Sequence, residues 1–138
     1  MKLDRYTEKA QEAILAAQRL ASDADSPTLD VEHLLAALLQ AAEGIPAVTL
    51  RALGADPSAL ALDLGAVLSR RARVAGGQLS LDGRARRMLE RAEEEAKRLA
   101  DDYVSTEHLL LAAAEAGGDA GRVLTAAGAD RELRLCRR

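Results

Sequence analysis

Two Glu-His pairs, Glu32-His33 and Glu107-His108, are the first residues of this chain that could do chemistry. A carboxylate beside an imidazole can hold a transition metal or move a proton, and four such groups from two segments could close a metal site. Each pair, however, opens an apolar run, Leu34-Leu35 in one case and Leu109-Leu110-Leu111 in the other. Each histidine therefore stands as a lone ring in the first turn of a buried helix, where a hydrogen-bonded imidazole is the ordinary outcome. Neither metal nor cofactor is expected. No Gly-x-Ser-x-Gly elbow or activated cysteine offers a nucleophile, and no Gly-x4-Gly-Lys-Ser/Thr loop offers a phosphate cradle. A catalytic domain is not the expectation; the alternative is a small hydrolase or metal enzyme using the Glu-His pairs, which metal analysis of the pure protein would reveal.

Arg84, Arg86, Arg87 and Arg91, with Arg70, Arg71 and Arg73 nearby, make the case for nucleic acid. Glu90, Glu93, Glu94 and Glu95 interleave with them, and Glu93–Lys97 and Glu94–Arg98 have the favourable i,i+4 spacing of a solvated helix face. Tyr6 and Tyr103 are the only aromatics, so no platform exists for stacking bases. With a formal net charge of -3, neither nucleic acid nor an anionic membrane is the expected partner.

The elements that position these residues come in two copies. Val31-Glu32-His33-Leu34-Leu35 returns 75 positions later as Thr106-Glu107-His108-Leu109-Leu110, and the register extends backwards without a gap, Tyr6 on Leu81, Ile14 on Leu89, Ala17 on Ala92. Forwards one residue is lost, after which Gly44 falls on Gly118, Leu50 on Leu124 and Gly54-Ala55-Asp56 on Gly128-Ala129-Asp130. Such self-similarity marks two copies of one supersecondary unit, each unable to bury its apolar face alone. Abundant Ala, Leu, Glu and Arg with three prolines favour an all-α chain. Helical spacing and caps predict a long first helix from Asp4 or Thr7 to about Ser22–Asp25, and a second from Asp30 to Gly44. A short third holds Pro46 in its first turn, and a fourth runs from Pro57 to Arg71. Val74 to Gln78 reads as the linker. A fifth, sixth and seventh helix then repeat the plan, and an eighth starts at Asp130. The expected organisation is repeat 1 over 1–73, a linker over 74–80 and repeat 2 over 81–138, together one eight-helix domain with a pseudo-twofold axis.

The eighth helix is shorter than its counterpart, which suggests a fragment of a longer protein or a shortened end. A lone Cys136 gives no disulfide framework, no apolar run approaches a membrane span, and the expected location is the cytoplasm.

The duplicated Thr/Val-Glu-His-Leu-Leu signature, with Gly-Ala-Asp closing the third helix of each unit, resembles the Clp N-terminal domain, the paired repeats that precede the AAA+ rings of Clp chaperones. Met1 to Thr7, Arg91 to Ala96, Ala55-Asp56-Pro57 and the Arg73-Val74…Gly76-Gly77 stretch look most like the ClpB branch; ClpC and ClpA types are the alternative. The resemblance implies a module, monomeric when isolated, that docks unfolded or aggregated polypeptide for delivery to the ring and possible adaptors. It implies substrate-handling roles for Thr7, Asp101 and Glu107. The ClpC-type alternative would instead use Glu32 and Glu107 to recognise phosphorylated arginine, although the Gly-Thr-Glu-His context of that branch is missing here. Both glutamates also sit where a helix dipole favours acid, which alone accounts for their type. Leu3 and Leu81, with Tyr6 and Leu79, lie at the two long-helix starts, where they either line a shallow apolar groove or close the core. A free-standing adaptor on the same fold is a further alternative.

Overall fold

The computed structural model describes residues 3–74, 76–129 and 133. Seven helices lie within them: α1 (Glu8–Asp23), α2 (Val31–Gln40), α3 (Ile45–Ala52), α4 (Pro57–Ser69), α5 (Gly83–Arg98), α6 (Thr106–Glu115) and α7 (Gly118–Ala126). The eighth helix expected from Asp130, and Cys136, fall outside the described residues apart from Leu133, which is buried and donates its N–H to Ala129 O. The helix count is thus seven among the described residues, and the all-α class holds.

α1 and α5 are amphipathic for the same reason. Ala10, Ile14, Ala17 and Ala21 in one, and Ala85, Leu89, Ala92 and Ala96 in the other, recur at 3.6-residue spacing and are buried. Small side chains on these stripes let α1 lie close against α2 and α5 close against α6. The partner helices α2 and α6 are apolar nearly all round, because both are central: eight of the ten residues of α2 are buried. Leu35 and its counterpart Leu110 are among the most enclosed side chains, and α2 and α6 also meet each other across the repeats.

Helix ends follow local chemistry. Thr7, Asp56 and Asp82 each accept a backbone N–H of the first turn, from Ala10, Ser58 and Arg84 respectively. Asp30 and Ser105 cap α2 and α6 through a box closed by a histidine. α2 stops at Gln40 rather than Gly44, and Gly44 instead serves as the N-cap of α3, ahead of Pro46. α1 and α5 both exit through a left-handed residue, Asp25 at φ 54 and Ala100 at φ 61, at equivalent positions.

Two short strands, which the all-helical reading did not foresee, tie the repeats together. β1 (Thr28–Leu29) pairs in parallel with β2 (Ser80–Leu81), Leu29 opposite Leu81. A single parallel bridge joins Tyr6 to Val104. Under the 75-residue register Tyr6 corresponds to Leu81 and Val104 to Leu29, so each bridge is the image of the other. In both, the segment entering the long helix of one repeat pairs with the segment entering the central helix of the other. The connector is anchored too: Val74 N–H donates to Asp25 O at 2.8 Å, and Ser80, expected in the linker, belongs to β2.

Candidate functional site

The loop joining α5 to α6 meets the start of α1 at the Tyr6–Val104 bridge. Ala100 turns the chain back, Asp101 N–H donates to Ala96 O at 2.8 Å, and the loop then lays Val104 alongside residues 5–7. Thr7 N–H donates to Val104 O at 2.9 Å and Val104 N–H to Arg5 O at 2.8 Å. These two bonds bring Thr7 against the loop that carries Asp101 and leads into Glu107. Thr7 Oγ1 accepts the Ala10 N–H at 3.1 Å, which caps α1 and leaves its hydroxyl proton free to donate outward.

His108 links the loop to the helix. Its Nδ1 accepts the Ser105 N–H at 2.9 Å, so Nε2 carries the proton and donates to Asp101 Oδ2 at 2.9 Å. The ring is buried, while the Asp101 side chain is 50% exposed and keeps Oδ1 for solvent or a ligand. Glu107 is exposed in the first turn of α6, and among the described residues no partner engages its carboxylate. Leu3 is half-buried against the core, its carbonyl accepting the Gln11 amide at 2.9 Å. Thr7, Asp101, Glu107 and Leu3 therefore gather around one bridge. Leu81, also half-buried, is held at the equivalent bridge beside Leu29; the two helix starts pair with the loops ahead of α6 and α2, not with each other.

Sequence reasoning passed over Tyr103, which is 55% exposed on the same loop, next to the bridge residue. The available signal was scarcity: one of two aromatics in the chain lies in a polar loop with no packing demand, whereas Tyr6 is buried and its hydroxyl donates to Glu93 Oε2 at 2.7 Å. Burial, with the nearby Glu93 carboxylate, raises the Tyr6 pKa well above its ordinary value.

Both histidines of the Glu-His pairs are engaged in helix caps. His33 Nδ1 accepts the Asp30 N–H at 2.9 Å, just as His108 serves Ser105, and both rings act as the third residue of a capping box. Among the described residues no three His, Cys, Asp or Glu side chains cluster as ligands. Burial lowers the pKa of His33; Asp30 and Glu32 pull the other way, and Arg71 adds to the lowering.

The family model of the Clp repeat (R) N-terminal domain matches residues 5–127. The chain belongs to the Clp N-terminal domain family. It is 40% identical over 126 residues to chaperone protein ClpB of Corynebacterium diphtheriae, covering 89% of this chain. Over 130 residues it is 35% identical to chaperone protein ClpB of Bacillus cereus, covering 91% of this chain. The chain spans only 15% of the length of each of these relatives. The crystal structure of the Hsp104 N-terminal domain from Candida albicans matches with a TM-score of 0.85 at 18% identity, over 96% of this chain and 88% of that one, a likeness of fold.

In this Clp N-domain the two family glutamates are treated unequally. Glu32 is 2% exposed. Its Oε1 accepts Arg71 Nη1 at 2.9 Å, and its Oε2 accepts the Ala120 N–H in the first turn of α7 at 2.8 Å. Arg71 also donates to Asp30 Oδ2 at 2.7 Å and to Asp119 Oδ2 at 2.6 Å, joining the end of α4, the start of α2 and the start of α7. Burial alone would lower the Arg71 pKa, but its bonds to Glu32 and Asp30 outweigh that and raise it. Both Glu32 oxygens are thus engaged within the domain, whereas the ClpC-type reading would turn this carboxylate toward a client. Glu107 cannot copy this arrangement. The position matching Ala120 in the first repeat is Pro46, which has no N–H to offer. Asp30 and Asp119 likewise correspond to Ser105 and Ile45, so neither the amide nor the acid cluster around Glu32 is repeated at Glu107.

The glutamates of α5 also differ from the expected pattern. Arg98 pairs with Glu95 at 2.5 Å, and Arg91 with Glu94 at 3.8 Å and with Glu115 of α6 at 2.9 Å, in place of the i,i+4 pair Glu94–Arg98. Among the described residues no single helix is long and apolar enough to cross a membrane; the bent pair of α2 and α3 passes by length and composition together, and α2 is core.

Proposed function

We propose that this Clp N-domain docks exposed segments of unfolded or aggregated polypeptide at the Tyr6–Val104 bridge, for transfer to an AAA+ ring carried by the same parent chain in the cytoplasm. The observation that carries the reading is the convergence of an exposed aromatic, Tyr103, with the outward carboxylate of Glu107, the Asp101 carboxylate that keeps one oxygen beyond its bond to His108, and the Thr7 hydroxyl. An extended client offers backbone N–H groups and basic side chains to the carboxylates, and apolar side chains to Tyr103 and the flank of Leu3. Leu81 would serve a second, equivalent position beside Leu29. The domain itself performs no chemistry in this reading; the ring does the mechanical work, and adaptors compete for or extend the same surface. The ClpC-type alternative, in which both glutamates read a marked client, is weakened because Arg71 already occupies Glu32.

The test is a backbone-amide NMR titration of this chain with a permanently unfolded polypeptide. Weak, saturable shifts over residues 3–7 and 101–107 are expected. Glu107→Gln together with Asp101→Asn, which keeps an acceptor for His108 Nε2, should weaken the affinity severalfold without changing the fold. Shifts confined elsewhere, or an unchanged affinity in the double variant, would refute the assignment.

A further inference from the structure

The cleft between α5 and α6 carries a charge opposite to that of Glu107 and Asp101. We propose that it takes an acidic stretch of polypeptide, carboxylates on either side of an apolar residue. The cleft measures about 380 Å³. Its rim is Arg84, Arg87 and Arg91, successive turns of one face of α5, with Glu115 facing Arg91 from the end of α6, and its floor is Met88 with Ala112 of α6 and Ala116 just after it. Arg91 is already neutralised by Glu115 and Glu94. Among the described residues no carboxylate lies within ion-pair distance of Arg84 or Arg87, although the chain as a whole is acidic. Both side chains are exposed. Gly118, at φ 64, lies so close under the Arg84 guanidinium that a Cβ there would collide with it, and the glycine is what lets Arg84 lean across to the start of α7.

Two unneutralised guanidinium groups over a small-residue floor select an anionic occupant, and the fork of each matches a carboxylate. The floor favours a peptide over a simple ion, since Met88, Ala112 and Ala116 offer it contact but no hydrogen bond. Geometry ties the cleft to the docking surface proposed above, on which this inference rests. The cleft sits at the start of α5 and the end of α6, whereas Glu107 stands in the first turn of α6, at the other end of that helix and turned away from the cleft by about half a turn. Nine positions separate Glu107 from Ala116, an axial rise of about 14 Å with half a turn around the helix, so a client reaching both must be longer than the ~4 extended residues that the rise alone would take. A client that is basic or backbone-rich at one end and acidic at the other would engage both.

The experiment uses fluorescence anisotropy with a labelled peptide of alternating leucine and glutamate, its glutamine analogue, and this chain. At about 50 mM salt the glutamate peptide should bind about tenfold more tightly than the glutamine one, and the preference should shrink as salt rises. In Arg84→Gln/Arg87→Gln, a change of exposed side chains that circular dichroism should show to be folded, the preference should vanish. Equal binding of the two peptides, or a preference that survives in the double variant, overturns the proposal. Equal binding with amide shifts over residues 101–107 would sink the acidic specificity while leaving the docking reading standing; absence of binding by either peptide would sink both.

Discussion

Replacing Arg71 by methionine tests the centre of the ion cluster. Methionine retains most of the aliphatic stem but removes the guanidinium, so Asp30, Glu32 and Asp119 lose one shared cation in a single step. Glu32 suffers most, with its side chain 3% exposed and one oxygen left without a partner. Removing one partner of a buried ion pair typically costs ~3–5 kcal/mol. Here the Arg71 side chain is 31% exposed and water can replace part of it, so the lower end, about 3 kcal/mol, is expected. With a urea m-value of ~2 kcal/mol/M, the unfolding midpoint should fall by about 1.5 M. Adding Glu32→Gln should recover at least ~1 kcal/mol, because the amide oxygen still accepts the Ala120 N–H while the orphaned charge is gone. A midpoint within about 0.2 M of the parent for Arg71→Met, or no recovery on adding Glu32→Gln, would refute the claim that Arg71 neutralises a buried carboxylate.

Ala100 adopts φ 61, which costs a residue with a Cβ ~1 kcal/mol relative to glycine. Ala100→Gly should therefore raise the urea-derived stability by up to about 1 kcal/mol, less the extra entropy of an unfolded glycine; a loss of stability would mean the turn is held for another reason. His33 should make the domain sensitive to mild acid. Its pKa is lower in the folded state than the ordinary ~6.5, so the unfolded chain binds more protons once the pH drops below that value, and stability is lost as pH falls through it. Protonation also removes the Nδ1 acceptor for the Asp30 N–H. Unfolding midpoints of the parent should decline between pH 7 and 5.5, and His33→Gln, which retains a capping acceptor, should flatten that decline; parallel profiles would contradict it.

Much of the architecture was legible because it depends on local rules written twice. The Ala stripes of α1 and α5, the Leu-rich α2 and α6, and the caps Thr7, Asp30, Asp82 and Ser105 each follow from residue type and spacing. The two-residue strands were not legible, since so short a segment has no alternation to detect and its pairing is wholly tertiary. Nor was Arg71, which reads like its neighbours Arg70 and Arg73; the tertiary meeting with Asp30, Glu32 and Asp119 sets it apart. The site was half visible. Thr7, Asp101 and Glu107 came from resemblance, whereas the contrast between Glu32 and Glu107 could have been read from Pro46 standing where Ala120 does. That Leu3 and Leu81 mark equivalent helix starts could be read, but not that the bridges send each start to the opposite repeat.

That crossing of partners bears on how the chain acquires its structure. Tyr6 waits for Val104, about a hundred positions downstream, and Leu29 waits for Leu81. During synthesis the first helices emerge with their apolar flanks uncovered and cannot close either bridge until the second copy has been made. Such distant pairings carry a high loop-closure cost and slow the rate-limiting step. A chain cut at the connector would leave two halves, each displaying the edge that the other was meant to cover. Mixed in solution they should seek one another, or a second copy of themselves, in the manner of exchanged protomers.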